Sequence, residues 1–219
     1  MSLSELWSLY GQNYIDALLA TWGMTLESFA IAMVLAVAVT VMRVSPLKPL
    51  RVFGDLYVQV FRNIPGIALL IIVVYALPPL KVVLPYRTCV IVATVLLGSA
   101  FGSENFMSGI NTVGADQVEA ARSLGMSFSR ILAKIVIPQA LRSSVLPMTN
   151  LFIAVMLTTA LGSQVPLKPQ ELTGVVSYIN TRSLGGVVAF FISALGYLGT
   201  AFVVSHIGNY IDKKVRILR

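Results

Sequence analysis

The residues from Leu184 to Ile207, LGGVVAFFISALGYLGTAFVVSHI, contain no Asp, Glu, Lys or Arg. A run of that length meets the need of an α-helix for about 20 apolar residues to cross a hydrocarbon core of about 30 Å. In lipid such a helix satisfies its own backbone polar groups. In water it would leave an apolar surface all round. The rest of the chain has the same character: of 219 residues, 57% are hydrophobic and 11% are charged. An ordinary soluble domain carries about 25% charged residues. Too few polar side chains exist here to coat a water-soluble globule, and hydrophobicity this high excludes disorder.

Four further spans follow from the same criterion: about Gly23 to Met42, Ile64 to Leu77, Thr88 to Gly102, and Leu146 to Leu161. Several are short for a bilayer, so helix is expected to extend into their flanks, for example through LYVQVFRN (56–63). The chain thus reads as an all-α polytopic membrane protein with five transmembrane helices, forming one domain over 1–219. Residues 1–22 are expected to form an outer interfacial segment, with Trp7, Tyr10 and Tyr14 at the lipid boundary. The first residues carry Glu5 and lack a basic cluster, so they do not read as a secretory signal. An odd number of spans argues against two equal inverted halves, and no 20–50-residue repeat is visible. Five short helices enclose little, so a transport path needs a second subunit.

The net charge is +7. Arg43, Lys48, Arg51 and Arg62 follow the first span, and Arg122, Arg130, Lys134 and Arg142 lie in the long middle loop. Lys213, Lys214, Arg216 and Arg219 form the tail. Only Lys81, Arg87, Lys168 and Arg182 fall on the other side. Basic residues mark the cytoplasmic face, which sets the N-terminus outside and the C-terminus inside. No continuous basic stripe with interleaved aromatics occurs, so nucleic acid is not an expected partner. Cys89 and His206 each stand alone, and neither disulfide nor metal chemistry is expected of them.

The inner loop, about 107–145, is too patterned for a simple connector. Asp116 reads as the cap of a helix with Glu119 in its first turns. Gly125 ends that helix, since glycine accepts a left-handed conformation. A second helix, SFSRILAKIVI, places Ile131, Leu132, Ile135 and Val136 on one face. Pro138 then interrupts it before the fourth span.

Glu119-Ala120-Ala121, Gly125, Ile135, Ile137 and Pro138 match at their spacing the cytoplasmic signature of ABC importer permeases, with Ile for Leu at 137. More of the chain resembles the polar-amino-acid importers in particular: GMTLESFAIAM, FRNIP (61–65), PQALRSSVLPMTN (138–150) and PQELTG (169–174). The resemblance implies the five-helix type I ABC importer permease fold. It also implies a second permease, identical or homologous, two ATP-binding subunits, an extracytoplasmic solute-binding protein, and the bacterial inner membrane. No G-x-x-x-x-G-K-[ST] loop occurs here, so ATP is expected on a partner, with no cofactor and no catalysis in this chain. The resemblance assigns the 116–125 helix to ATPase coupling, through Glu119, Ala120, Ala121, Gly125 and Pro138.

For the substrate path, polar groups inside spans are the candidates: Glu104, Thr149, Asn150, Thr158 and Thr159, with Arg62 from FRNIP. Asn150 and Thr158 are expected on roughly one helix face. The threonines equally suit interhelical hydrogen bonds, and Arg62 a snorkelling role at the inner edge. The chain departs from relatives at Leu151, where many have an acid, in LTTAL (157–161), and in Glu104-Asn105-Phe106-Met107, which lacks an arginine. Loss of an acid near the path disfavours a cationic substrate and points to an acidic or neutral polar amino acid such as glutamate or glutamine. A basic-amino-acid importer is the alternative. An ion channel or ATP-independent carrier leaves the inner loop unexplained, and a membrane enzyme lacks convergent catalytic groups.

Overall fold

The structure, a computed structural model, describes residues 2–182 and 186–215. The first residues of the expected last span, Leu184 and Gly185, and the tail cations Arg216 and Arg219 lie outside the described residues.

The first element, α1, runs unbroken from Leu3 to Val44. At 1.5 Å per residue its 42 residues reach about 63 Å, twice a bilayer core. The expected interfacial segment over 1–22 is therefore not a separate element but the outer half of one helix. Ser2 starts it with a reciprocal cap: its Oγ accepts from the Glu5 N–H at 3.3 Å, and its N–H donates to Glu5 Oε2 at 2.8 Å. No proline follows to break it. The outer half is held by protein: Leu6, Tyr14 and Ala17 are buried against Leu172, Val175, Ile179 and Ala189. The Tyr14 hydroxyl donates to the Ala189 carbonyl at 2.9 Å.

The second span is not the continuous helix its apolar run predicts. Helix α2, Lys48–Asn63, ends at Ile64, and α3, Gly66–Ile71, continues through a π turn and a short 3-10 turn to Leu80. The two segments meet at 102°. The cause is Pro65: it holds the residue before it extended (Ile64 φ −82°, ψ 128°) and cannot continue the hydrogen-bond ladder. The other spans are α4 (Tyr86–Asn111), α8 (Val145–Thr158, prolonged as a 3-10 turn to Gln164) and α10 (Gly186–Val215). With the broken pair as one crossing, the described residues hold five helices long and apolar enough to cross a membrane.

A seam of small residues joins α1 to α4. Gly98 faces Ala32 and Gly102 faces Ala36. A β-carbon on Gly98 would sit 3.2 Å from Ala32 Cβ, and one on Gly102 would sit 2.9 Å from Ala36 Cβ. In lipid, where no hydrophobic force drives helices together, such close backbone approach supplies the packing energy. The seam closes at its inner end with Thr40 Oγ1 bonded to Ser103 Oγ at 3.1 Å. Between α8 and α10 lies a short outer helix, α9 (Leu172–Asn180). Its cap is Glu171, fully buried, whose carboxylate accepts from the Thr173 and Gly174 N–H groups, each at 2.6 Å, and from the Tyr197 hydroxyl at 3.0 Å. Burial holds the Glu171 carboxyl above the ordinary carboxylate range, and those hydrogen bonds offset only part of the rise.

The Gly102→Leu variant is expected to overpack the seam by about 1–3 kcal/mol, lowering the detergent melting temperature. Glu171→Ala is expected to cost about 0.5–2 kcal/mol through the lost cap, and Glu171→Gln less, because the amide oxygen can still accept. Melting curves of the purified variants check both.

Candidate coupling loop and transport cavity

The inner loop folds around a small core of its own. Helix α5 spans Ala115–Ser123, and Gly114, not Asp116, is its cap. Asp116 sits in the first turn, where a carboxylate still faces the positive end of the helix. At the other end Gly125 has φ +74°. Its N–H donates to the Arg122 carbonyl at 2.9 Å, and the Met126 N–H to the Ala121 carbonyl at 3.1 Å. This is the paired-bond stop that favours glycine. The next helix runs α6 (Phe128–Ile131), a π turn (Leu132–Val136), then α7 (Ile137–Ser143).

Pro138 does not separate loop from span, as its position suggests. It lies just inside α7, and the chain turns at Ser144. The π turn before it provides the wider backbone that a proline needs inside a helix. Gln139 Nε2 donates to the Ile135 carbonyl at 3.1 Å, satisfying one acceptor there. Ala121, Ile131 and Val136 are buried together, and Gln139 Nε2 bonds Gln117 Oε1 at 2.8 Å, tying α5 to α7. Most of α5 is exposed, Glu119 and Ala120 included, and past its end Leu124 is 82% exposed.

A second feature is a cavity of about 600 Å³ at the break of the second span. Its walls are Arg62, Ile64, Gly66 and Ile67 from the break; Thr94, Leu97, Gly98 and Phe101 from α4; and Leu151, Ala154, Val155, Thr158, Leu161 and Gln164 from α8 and its extension. The guanidinium of Arg62 stands 5.3 Å from the Phe101 ring centre, within cation–π range. Arg62 is the one ionised side chain in the lining.

The structure sorts the path candidates. Arg62 and Thr158 line the cavity. Glu104 is outside its walls and pairs with two arginines, Arg43 Nη1 at 3.1 Å and Arg62 Nη1 at 3.4 Å. Arg43 also reaches Asp55 at 2.8 Å, so one cluster ties α1, α2 and α4 at the inner end. The arginine missing after Glu104 in sequence is thus supplied in space by Arg43 and Arg62. Thr149 packs beneath Gly208 of α10 on another side of α8. Thr159 is buried and bonds back to the Met156 carbonyl at 2.6 Å. Asn150 is exposed and off the cavity wall. Eight residues turn a helix by about 80° beyond two full turns, and here that angle separates Asn150 from Thr158. Sequence reading missed Thr94, Phe101 and Gln164; uncharged residues on apolar helices give no signal until the cavity is seen. Among the described residues no three metal-ligating side chains converge.

Residues 28–217 match the family described as the binding-protein-dependent transport system inner membrane component. The chain belongs to that family. It is 33% identical to the glutamate transport system permease protein GluC of Corynebacterium efficiens, over 90% of this chain and 91% of that protein. It is 30% identical to the L-cystine transport system permease protein TcyB of Bacillus subtilis, over 95% and 91%. The probable glutamine ABC transporter permease protein GlnM of Bacillus subtilis is also 30% identical, over 97% and 96%. The fold is that of a crystal structure of an amino acid ABC transporter with histidines, at TM-score 0.91 and 23% identity over 98% and 99% of the chains. The inward-facing MetNI methionine ABC transporter aligns at TM-score 0.73 and 19% identity, over 99% and 100%. The fold is thus that of the type I ABC importer permeases, in a multi-pass membrane protein.

Arg43 holds three helices through its ion pairs, whereas Arg62 shares only Glu104. Arg43→Met is therefore expected to destabilise by about 1–3 kcal/mol, and Arg62→Met by less. The ranking of the two melting temperatures tests this.

Proposed function

We propose that this chain is the non-catalytic permease subunit of an ATP-driven importer for acidic or neutral polar amino acids of the glutamate or glutamine kind, working in the bacterial inner membrane. The observation that carries the substrate class is the charge of the cavity: one guanidinium and no acid in its walls. A guanidinium pairs with a carboxylate through charge-assisted hydrogen bonds. Arg62 also pairs with Glu104 at 3.4 Å just outside the lining, so a substrate carboxylate shares the guanidinium with Glu104. A cationic side chain meets no acid in the lining itself. The glutamate and glutamine permeases among its relatives support the same reading.

The partners follow from the family and from the exposed inner loop. Two ATP-binding subunits, a second permease and an extracytoplasmic solute-binding protein complete the machine, and ATP is consumed on the partner subunits. Helix α5 docks in a cleft of one ATPase, offering Glu119, Ala120 and Leu124. Its own small core lets it move as a rigid piece, and α7 passes that motion to α4 and α8. Gly109 of α4 lies against Ser144 at the end of α7, which gives the transmission a tight contact.

Competition against labelled glutamate uptake tests the substrate class: unlabelled glutamine competes, and arginine and histidine do not. Preferential arginine transport overturns it. Gly125→Val forces a β-branched residue into a left-handed turn at a cost of roughly 1–2 kcal/mol. That variant and Glu119→Lys are expected to lower uptake severalfold at unchanged membrane levels of the protein. Normal uptake in both removes α5 from the coupling role.

A further inference from the structure

Arg62 is the last member of a chain of charges along the inner ends of α1, α2 and α4. Arg43 Nε bonds Asp55 Oδ1 at 2.8 Å, and Arg43 Nη1 bonds Glu104 Oε2 at 3.1 Å. Arg62 Nη1 lies 3.4 Å from the same Glu104 oxygen. Arg43, only 12% exposed, also donates to Ser103 Oγ at 3.3 Å. Two arginines meet two acids, so the cluster carries no net formal charge. The Arg62 contact is the longest of the three. It is also the one that opens without stranding a charge: Glu104 keeps Arg43, and Arg43 keeps Asp55. Of the four side chains, Arg62 alone lines the cavity. A carboxylate that meets Arg62 from the cavity therefore faces Glu104 across one guanidinium, at about 6 Å. Like charges at that spacing repel even at the high effective dielectric of a wet site. An amino acid of zero net charge escapes most of this, because attraction of its α-ammonium offsets repulsion of its α-carboxylate. An acidic amino acid carries a second carboxylate and has no such offset.

We propose that Glu104 is a positioning residue that sets substrate charge: by sharing the charge of Arg62, it makes the cavity favour a neutral polar amino acid of the glutamine kind over an acidic one. The proposal rests on the cavity being the substrate path. It narrows the substrate class that the lining alone leaves broad.

The test is equilibrium binding of labelled glutamine and labelled glutamate to the purified transporter containing this chain. The solute-binding protein is left out, so that its own selectivity does not enter. Melting temperatures in detergent are measured in parallel. The unmodified transporter is expected to bind glutamine more tightly than glutamate; the reverse order overturns the proposal. Glu104→Gln removes the charge and keeps an oxygen for Arg43. It is expected to tighten glutamate binding about tenfold and to change glutamine binding by less than about twofold. Glu104→Asp keeps the charge and is expected to keep the original order. Asp55→Asn takes the same charge from the far end of the cluster, about 10 Å along α2 from Arg62, and is expected to leave the ratio unchanged. A purely structural role for Glu104 lowers binding of both amino acids alike and does not move their ratio. If Arg62→Met weakens binding of both and Glu104→Gln leaves the ratio unchanged, the path stands and the role of Glu104 is overturned. If Arg62→Met changes neither, the cavity is not the path and the proposal falls with it. An equal shift of the ratio in Asp55→Asn makes the effect one of net surface charge and overturns the proposal.

Discussion

The close approach of α1 and α4 is the constraint on which the other helices depend. Ala32 and Ala36 on one helix meet Gly98 and Gly102 on the other, with no room for a β-carbon at Gly102. Lipid tails are as apolar as leucine, so burying leucine against leucine gains little in a bilayer; backbone-to-backbone contact gains dispersion and excludes lipid. Once these helices are locked in parallel, their inner ends place Arg43 and Glu104 within 3.1 Å. Their outer ends place Glu27 beside Arg87 at 2.5 Å. The remaining spans pack around this pair: α2 and α3 on one side, α8 on another, and α9 and α10 along the outer half of α1.

The break at Pro65 does the opposite work. It withdraws one crossing from regular helix at mid-height and opens space between the break, α4 and α8. Irregular backbone inside a membrane is tolerated where it is buried in protein or lines a cavity, and here it lines one. The polar chemistry in that space is sparse: a guanidinium, two threonines and an amide in an otherwise apolar wall. The one charge in that lining, Arg62, is paired with Glu104 outside it. At the cytoplasmic end, α5 and α7 form a separate small unit that touches both the inner ends of the spans and the solvent. The cavity and the α5 unit are thus separate, and Ser144 at the end of α7 touches Gly109 of α4 between them.

Much of this was legible in the residues. Apolar run length located the crossings, because the bilayer demands a minimum number of apolar residues. Gly125 was legible as a helix end, because glycine takes φ +74° without the clash a β-carbon brings. Other inferences went astray where tertiary contact outweighed local signals. The outer residues of α1 resemble an interfacial strip because Trp7, Tyr10 and Tyr14 are amphipathic, but Tyr14 spends its hydroxyl on Ala189 and the strip is packed on α9. Pro138 reads as a break, yet the π turn before it absorbs the ring. Asn150 and Thr158 share a face only loosely, and the cavity edge falls between them.

The order of apolar runs, the inside-facing cations and the spaced motif of Glu119, Ala120, Ala121 and Gly125 are properties of the chain in one dimension. They dictate a multi-pass helical membrane protein with a patterned inner loop, since hydropathy, charge topology and turn chemistry act locally; the permease family is carried by the resemblance of the spaced motif. Which polar groups meet is a matter of helix register, and register is decided by small residues interlocking across the bundle. That is why Arg62 came to the cavity wall while Glu104, its ion-pair partner, lies outside that wall in the cluster with Arg43.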